Sequence, residues 1–218
     1  MYIDRVRLLL RRDVLSNHPL VISYYMEDSP YQKEIGDLVT SCKKFGFESQ
    51  IEAIPNKGSW SEVCCYKPEF ILMCLEKYNR PLIWVDSDSL FFQSPTLFDD
   101  CKADVALRIN DNVAVDSPDK ILSSTIYINN TASSKKLLNF WKKECEKMLK
   151  QGNPVLDQVA LRRVILHYPT MVEIKRLPTT YVTVTDDPKD KSAFPDNAVI
   201  VHYGLSRLYA NESALAGV

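Results

Sequence analysis

The sequence predicts a single α/β domain with a mostly parallel central sheet flanked by helices. Strand and helix patterns alternate as β-α-β-α-β over residues 19–88, and this alternation is typical of parallel strands joined by right-handed crossovers. The third strand of the series is apolar on both faces, as expected for a strand that helices cover on both sides. A length of 218 residues matches one domain, and the chain shows no repeat, low-complexity segment or linker that would indicate a second.

The first half of the chain supplies three strands and two helices. The apolar, β-branched and aromatic run HPLVISYYM, residues 18–26, predicts a buried strand, and residues 29–46 predict an amphipathic helix. Residues 47–54 alternate apolar and polar side chains as a second strand does. Residues 61–79 then predict a second helix, in which Pro68 marks either a start or a kink. The third strand is PLIWVDSD.

The second half of the chain is less regular. Its strand patterns occupy residues 103–110, 121–130, 170–177, 180–184 and 197–204. Two helices are predicted between the second and the third of these strands, over residues 131–152 and over residues 153–168, the latter beginning near Pro154. A short polar tail, residues 209–218, follows.

Composition excludes several classes of function. The formal net charge is -1 with both signs mixed, so the protein offers no global field that would attract nucleic acid. No apolar run approaches the roughly 20 residues of a transmembrane helix, and the first residues lack the apolar region of a signal peptide. We therefore expect a cytoplasmic protein. The six cysteines show no CxxC pair, which favours buried free thiols.

Two aspartates, Asp86 and Asp88, end the third predicted strand. In open α/β sheets, ligands bind beyond the carboxyl ends of the strands, where these acids lie. Two unpaired carboxylates so close together would repel each other, and a divalent cation would relieve that repulsion. The alternative for any such pair is a turn in which aspartate side chains accept hydrogen bonds from backbone amides.

The segment RPLIWVDSDSLFFQSPTLFD, residues 80–99, resembles the metal-binding segment of GT-A-fold glycosyltransferases of the nucleotide-diphospho-sugar transferase type. In that family an apolar strand ends in DxD and is followed by a short apolar segment and a proline. Four more segments occur in the family's order: YKPEFILMCLEKY, SSTIYINN, VLDQVAL and VIVHYGLSR. The resemblance covers residues 19–208. It implies a Rossmann-like half that binds a nucleotide sugar, residues 19–110, and a more irregular acceptor and catalytic half, residues 111–208.

The resemblance also implies a metal site. Asp88 would bind the metal directly, and Asp86 would bind the metal, the donor ribose or both. His202 matches the histidine that these enzymes use as a further ligand, although a histidine taken alone is more typical of a hydrogen-bonded strand end. Because imidazole suits Mn²⁺ better than Mg²⁺, manganese is the first choice and magnesium the second.

The remaining site residues follow from the same family motifs. The donor-binding positions are Asp86, Lys67, Ser123, Ser124, Gly204 and Arg207, and the catalytic positions are Gln158 and Asp157, from the DQ motif. The alternatives without a functional role are a solvated lysine at position 67, a helix cap at Asp157 and a surface glutamine at position 158. Family members often have asparagine and glycine near SST, so this departure leaves the sugar undefined.

The function implied is transfer of a hexose from a nucleotide-diphosphate sugar to a hydroxyl of a glycan or protein. UDP is the commonest nucleotide in the family, and the DQ motif without a clearly placed base favours retention of anomeric configuration. Two alternatives stay open. One is a haloacid-dehalogenase-type phosphatase, whose DxDx(T/V) loop the DSD segment approximates but which places that loop after the first strand. The other is a catalytically idle domain that binds a nucleotide sugar.

Overall fold

The structure is a computed structural model, and it describes residues 19–33, 35–152, 156–185 and 194–204. The described residues form five α-helices: α1 (Ile35–Lys44), α2 (Trp60–Cys65), α3 (Lys67–Tyr78), α4 (Ala132–Lys150) and α5 (Asp157–His167). The strands are β1 (Leu20–Met26), β2 (Ser49–Ile54), β3 (Leu82–Val85), β4 (Ser89–Phe91), β5 (Val105–Ile109), β6 (Ile121–Ile128), β7 (Ile174–Arg176), β8 (Thr183–Val184) and β9 (Ile200–His202). Short 3-10 helices occupy Pro30–Lys33, Thr96–Phe98, Pro118–Lys120 and Thr179–Tyr181.

The central sheet has six strands in the order β2-β1-β3-β6-β5-β7. Strand β1 runs parallel to β2 and β3, and β5 runs parallel to β7. Strand β6 is antiparallel to both of its neighbours, β3 and β5. Five of the six strands therefore point the same way, which confirms the predicted mostly parallel sheet.

Helices and loops cover both faces of this sheet. Along β3, Leu82 and Trp84 belong to the cluster that packs against α3, α4 and α5, whereas Ile83 and Val85 belong to the cluster that includes α1 and the later loops. All four side chains are at most 2% exposed. The prediction that β3 is buried on both faces is confirmed, because its alternating side chains enter two separate cores.

A second sheet of three strands, in the order β4-β9-β8, stands at the carboxyl end of β3. Strand β4 begins directly after the two aspartates and pairs antiparallel with β9, placing Ser89 opposite His202. Sequence patterns did not predict β4, since three residues are too few to show a period. Of the strand predicted over residues 180–184, only Thr183–Val184 forms, and a 3-10 helix precedes it.

Pro68 marks the start of a helix and not a kink. The helix predicted over residues 61–79 is two helices, α2 and α3, and the proline lies in the first turn of α3, where its missing N–H leaves no hydrogen bond unmade. Lys67 is consequently the first residue of α3. The helix predicted from Pro154 is described from Asp157 onward, and Pro154 lies outside the described residues.

The cysteines agree with the sequence prediction. All six thiols are free, and five of them are buried. Within the part of the chain that the structure describes, no helix is both long enough and apolar enough to cross a membrane.

Candidate functional site

The two aspartates lie in a tight turn that connects the two sheets. The N–H of Asp86 donates to the carbonyl of Ser124 on β6 at 3.0 Å, and the N–H of Ser89 donates to the carbonyl of Asp86 at 3.0 Å. The N–H of Tyr203 donates to the carbonyl of Asp88, also at 3.0 Å. Backbone hydrogen bonds from three parts of the chain therefore fix the turn that carries both carboxylates.

His202 lies beside these carboxylates because β9 pairs with β4. One ligand atom from each of Asp86, Asp88 and His202 can be chosen so that all three lie within 4.8 Å of one another. Two carboxylates and one imidazole form a donor set that suits a divalent cation such as Mn²⁺, with further positions open to a ligand. The structure thus brings together the three residues that the sequence assigned to a metal.

Two hydroxyls hold the His202 ring. The Oγ of Ser89 is 2.8 Å from Nδ1, and the Oγ1 of Thr125 is 2.8 Å from Nε2. Burial, and to a smaller extent the charge of Lys67, lowers the pKa of His202 to about 3. The imidazole is therefore neutral, which is the form that binds metals, and a metal would replace one of the two hydroxyl contacts.

Lys67 is buried at the centre of the site. Its Nζ lies 3.0 Å from Oδ1 of Asp86 and 2.9 Å from Oδ2 of Asp157. It also donates to the carbonyl and the hydroxyl of Ser123, both at 3.3 Å, and lies 5.2 Å from the centroid of the Trp84 ring. Burial lowers the pKa of Lys67, but Asp157 and Asp86 raise it more, so that it ends above its ordinary value. The solvated alternative for Lys67 is therefore wrong.

Asp157 opens α5 and is buried beneath Lys67. Burial raises the pKa of this carboxyl, while the ammonium of Lys67 opposes the rise. Its backbone carbonyl accepts a hydrogen bond from Nε1 of Trp141 at 2.8 Å, which fixes the start of α5 against α4. Asp157 is thus neither a solvent-exposed cap nor an unpaired base, but the anionic partner of a buried lysine.

Ser123 lies where β6 departs from regular pairing. Leu107 lies opposite Ile126 and Arg108 lies opposite Leu122, so the pairing with β5 skips residues 123–125. Gln158 and Lys67 take up polar groups of this bulge. The N–H of Ser123 donates to Oε1 of Gln158 at 3.1 Å, and its carbonyl accepts from Lys67. The small residues of SST therefore form a turn-like step directly beside the charged cluster.

The amide of Gln158 is occupied at both ends. Besides accepting from Ser123, it donates through Nε2 to the carbonyl of Pro118 at 2.8 Å and to Oδ1 of Asp119 at 3.5 Å. The N–H of Ser123 and the carbonyl of Pro118 fix which end of the amide is oxygen and which is nitrogen. Gln158 thereby connects the loop between β5 and β6 to the Ser123 bulge.

Gly204 and Arg207 differ in what the structure says of them. Gly204 has φ +63°, and a Cβ there would lie 3.1 Å from the carbonyl oxygen of Thr185, so the backbone favours glycine at this position. Arg207 lies outside the described residues.

Sequence reasoning missed three contacts of the site, from Trp84, Ser89 and Thr125. Trp84 donates through Nε1 to Oδ1 of Asp86 at 3.0 Å. This contact could have been predicted, because side chains two residues apart in an extended segment lie on the same side.

Comparisons with known proteins identify the family and the fold. The profile of the family described as nucleotide-diphospho-sugar transferase matches residues 20–207. A solved structure, described as a glycosyltransferase involved in the glycosylation of the major capsid of PBCV-1, is similar to this chain with a TM-score of 0.65 and 14% sequence identity. The similarity covers 90% of this chain and 98% of that one, and at such low identity it shows the fold alone. The search of curated proteins found no match.

Proposed function

Because the chain belongs to the nucleotide-diphospho-sugar transferase family and is a GT-A-like glycosyltransferase, we propose that it transfers a hexose in a metal-dependent reaction. The donor is a nucleotide-diphosphate sugar, with UDP as the nucleotide, and the acceptor is a hydroxyl of a glycan or protein. The observation that carries this proposal is the convergence of Asp86, Asp88 and His202 from two different sheets. Three ligand atoms within 4.8 Å of one another can bind a single divalent cation.

The metal, with Mn²⁺ as first choice, would supply positive charge to the leaving diphosphate. Asp86, Asp88 and His202 would hold it, and the neutral imidazole of His202 is already oriented by hydroxyl contacts. Ser123, Ser124, Gly204 and Arg207 remain the proposed donor contacts. The assignment of Ser123 is supported by its position in the bulge next to Lys67. The assignment of Ser124 is supported by its carbonyl, which accepts a hydrogen bond from the N–H of Asp86.

Retention of anomeric configuration is the second part of the proposal. Inversion requires a carboxylate that is available as a base, whereas Asp157 is paired with Lys67 at 2.9 Å. The amide oxygen of Gln158 can steady positive charge at the anomeric carbon without acting as a base. Gln158→Ala should therefore lower turnover about 10²-fold or more while donor affinity changes little. NMR of the product should show the donor's configuration, and an inverted product would remove Gln158 from this role.

A thermal-shift panel tests the donor class. Nucleotide sugars are added to the purified chain with and without Mn²⁺, and a ligand at a hundred times its dissociation constant should add about 2.7 kcal/mol of stability. We expect the largest shift for a UDP-sugar with Mn²⁺, together with slow release of UDP. A shift without any turnover on glycan or peptide acceptors would indicate the idle binding domain. Release of inorganic phosphate from simple phosphate esters would favour the phosphatase. A cytoplasmic location stays a prediction from the sequence.

A further inference from the structure

We propose that Lys67 is a positioning residue that acts as an internal cation, sharing Asp86 with the metal and thereby weakening metal binding until the donor arrives. The inference rests on the proposed metal site, but it concerns a residue that the family resemblance assigned only to the donor. Its starting point is the 3.0 Å contact between Nζ of Lys67 and Oδ1 of Asp86, one of the three proposed ligands.

The contacts of Lys67 allow it to give up Asp86. A lysine ammonium has three N–H donors, and four acceptor atoms surround this one: Oδ1 of Asp86, Oδ2 of Asp157, and the carbonyl and hydroxyl of Ser123. If Asp86 turns toward a metal, three acceptor atoms of Asp157 and Ser123 remain within 3.3 Å of Nζ. Lys67 therefore stays in place, and its charge stays beside the site.

Asp157 competes with Asp86 for Lys67 and so weakens the ion pair between Lys67 and Asp86. The carboxylates of Asp157 and Asp86 contact the same ammonium at 2.9 Å and 3.0 Å, so each competes with the other for it. Removing the charge of Asp157 would leave Lys67 with Asp86 as its single anionic partner. Removing Lys67 would leave Nε1 of Trp84, 3.0 Å from Oδ1, as the remaining side-chain contact of Asp86 among the described residues.

The positive charge of Lys67 should lower the affinity of the site for a metal cation. The ammonium repels any cation bound to the same carboxylate, and Lys67 is only 5% exposed, so solvent screens this repulsion poorly. A diphosphate brings negative charge that offsets both the lysine and the metal. The metal should therefore bind weakly to the free protein and more tightly together with a nucleotide diphosphate.

Opposite effects of two substitutions provide the test. The full chain is titrated with Mn²⁺ in the absence of nucleotide, and free Mn²⁺ is measured by electron paramagnetic resonance. Lys67→Met should bind Mn²⁺ about threefold or more tightly than the wild type, because the repelling charge is gone. Asp157→Asn should bind it about threefold or more weakly, because Lys67 then pairs with Asp86 alone. Repeating both titrations with UDP should reduce the difference between the two variants.

A double variant controls for misfolding. Lys67→Met leaves Asp157 buried without its partner, which can unfold the chain, whereas Lys67→Met combined with Asp157→Asn removes both charges together. The double variant should bind Mn²⁺ at least as tightly as the wild type and more tightly than Asp157→Asn. If a folded Lys67→Met or the folded double variant bound Mn²⁺ more weakly than the wild type, the proposal would be overturned.

The same titration separates this inference from the proposed metal site. Asp88→Asn should abolish Mn²⁺ binding whatever Lys67 does. If wild-type binding is lost in Asp88→Asn but the Lys67 and Asp157 variants do not differ in the stated directions, the metal site stands and the role of Lys67 is wrong. If the wild type binds no Mn²⁺ even with UDP, both are wrong.

Discussion

Gln158→Glu is a nearly isosteric change that separates the two ends of one side chain. The introduced carboxylate keeps an oxygen that can accept the N–H of Ser123, now at 3.1 Å from Oε1. It replaces the amide N–H that donates to the carbonyl of Pro118 at 2.8 Å with a second oxygen. That oxygen would also face the Asp119 carboxylate, whose Oδ1 lies 3.5 Å from Nε2 in the wild type. The substitution therefore tests only the connection to the β5–β6 loop.

The expected loss of stability is the sum of two contributions. One hydrogen bond contributes about 1 kcal/mol net, and two like charges about 4 Å apart repel by about 1 kcal/mol in a medium of high dielectric constant. Gln158→Glu should therefore lower the free energy of unfolding by about 2 kcal/mol at pH 7.5, which is about 4–8 °C in Tm for a chain of this length. A protonated carboxyl can donate to Pro118 again, so the difference should shrink below about pH 4.3, the ordinary pKa of glutamate.

Urea unfolding of the wild type, Gln158→Glu and Gln158→Ala at pH 7.5 and pH 4 measures this difference. Gln158→Ala is the control, because it loses both contacts at every pH and its deficit should not shrink on acidification. A Gln158→Glu protein as stable as the wild type at pH 7.5 would show that Nε2 does not hold the loop. A deficit that persisted unchanged at pH 4 would show that charge is not its cause.

Further predictions concern the proposed metal and the last strand. Asp88→Asn should abolish Mn²⁺-dependent donor binding with the fold intact, and His202→Ala should weaken it less, because water can fill the vacated position; full turnover in Asp88→Asn would contradict its role. Burial lowers the pKa of His202 to about 3, so the free energy of unfolding of the metal-free protein should fall in acid. The unfolded chain binds a proton at about pH 6.5 and the folded chain does not, so stability is complete above pH 6.5 and is lost as the pH falls toward 3. Between pH 7.5 and 5.5 the loss should be about 1.4 kcal/mol by urea unfolding, and absent in His202→Gln. Gly204→Ala should cost about 1–2 kcal/mol, because its φ of +63° disfavours a Cβ that would also meet the carbonyl of Thr185; an unchanged unfolding midpoint would refute this.

The central sheet was predictable because its strands and helices are long enough to show their periods. The alternation over residues 19–88 correctly gave β1, β2 and β3 with the intervening helices. The second sheet was not predictable in the same way. Strands β8 and β9 form within two predicted strand patterns, residues 180–184 and 197–204, but β4 has only three residues and was missed. The pairing of β4 with β9 joins residues more than a hundred positions apart, such as Ser89 with His202. Residue patterns within a short window carry no information about such pairs.

The candidate site, like the fold, was predictable only in part. The positions of Asp86 and Asp88 follow from the rule that ligands bind at the carboxyl ends of strands, and His202 was found only through the resemblance to a family. The contacts that hold these residues were not predicted. Ser89, Thr125 and the bulge after Leu122 act through tertiary hydrogen bonds, and serine and threonine are too common in strands and turns to be recognised as positioning residues from sequence.

Lys67 did leave a signal in the sequence, although it required a physical rule to interpret it. A proline in the first turn fixes where α3 begins, and the preceding lysine is then the first residue of that helix. The N-terminus of a helix carries partial positive charge, so a buried cation there is unfavourable unless other groups compensate. Asp157 has the opposite placement, an anion at the N-terminus of α5, which its own helix stabilises. The carboxylates of Asp157 and Asp86, both within 3.0 Å of Nζ, supply the compensation that Lys67 lacks locally. A lysine directly before the proline that opens a helix therefore violates a local preference, and such violations are expected where a chain places charge for function and not for stability.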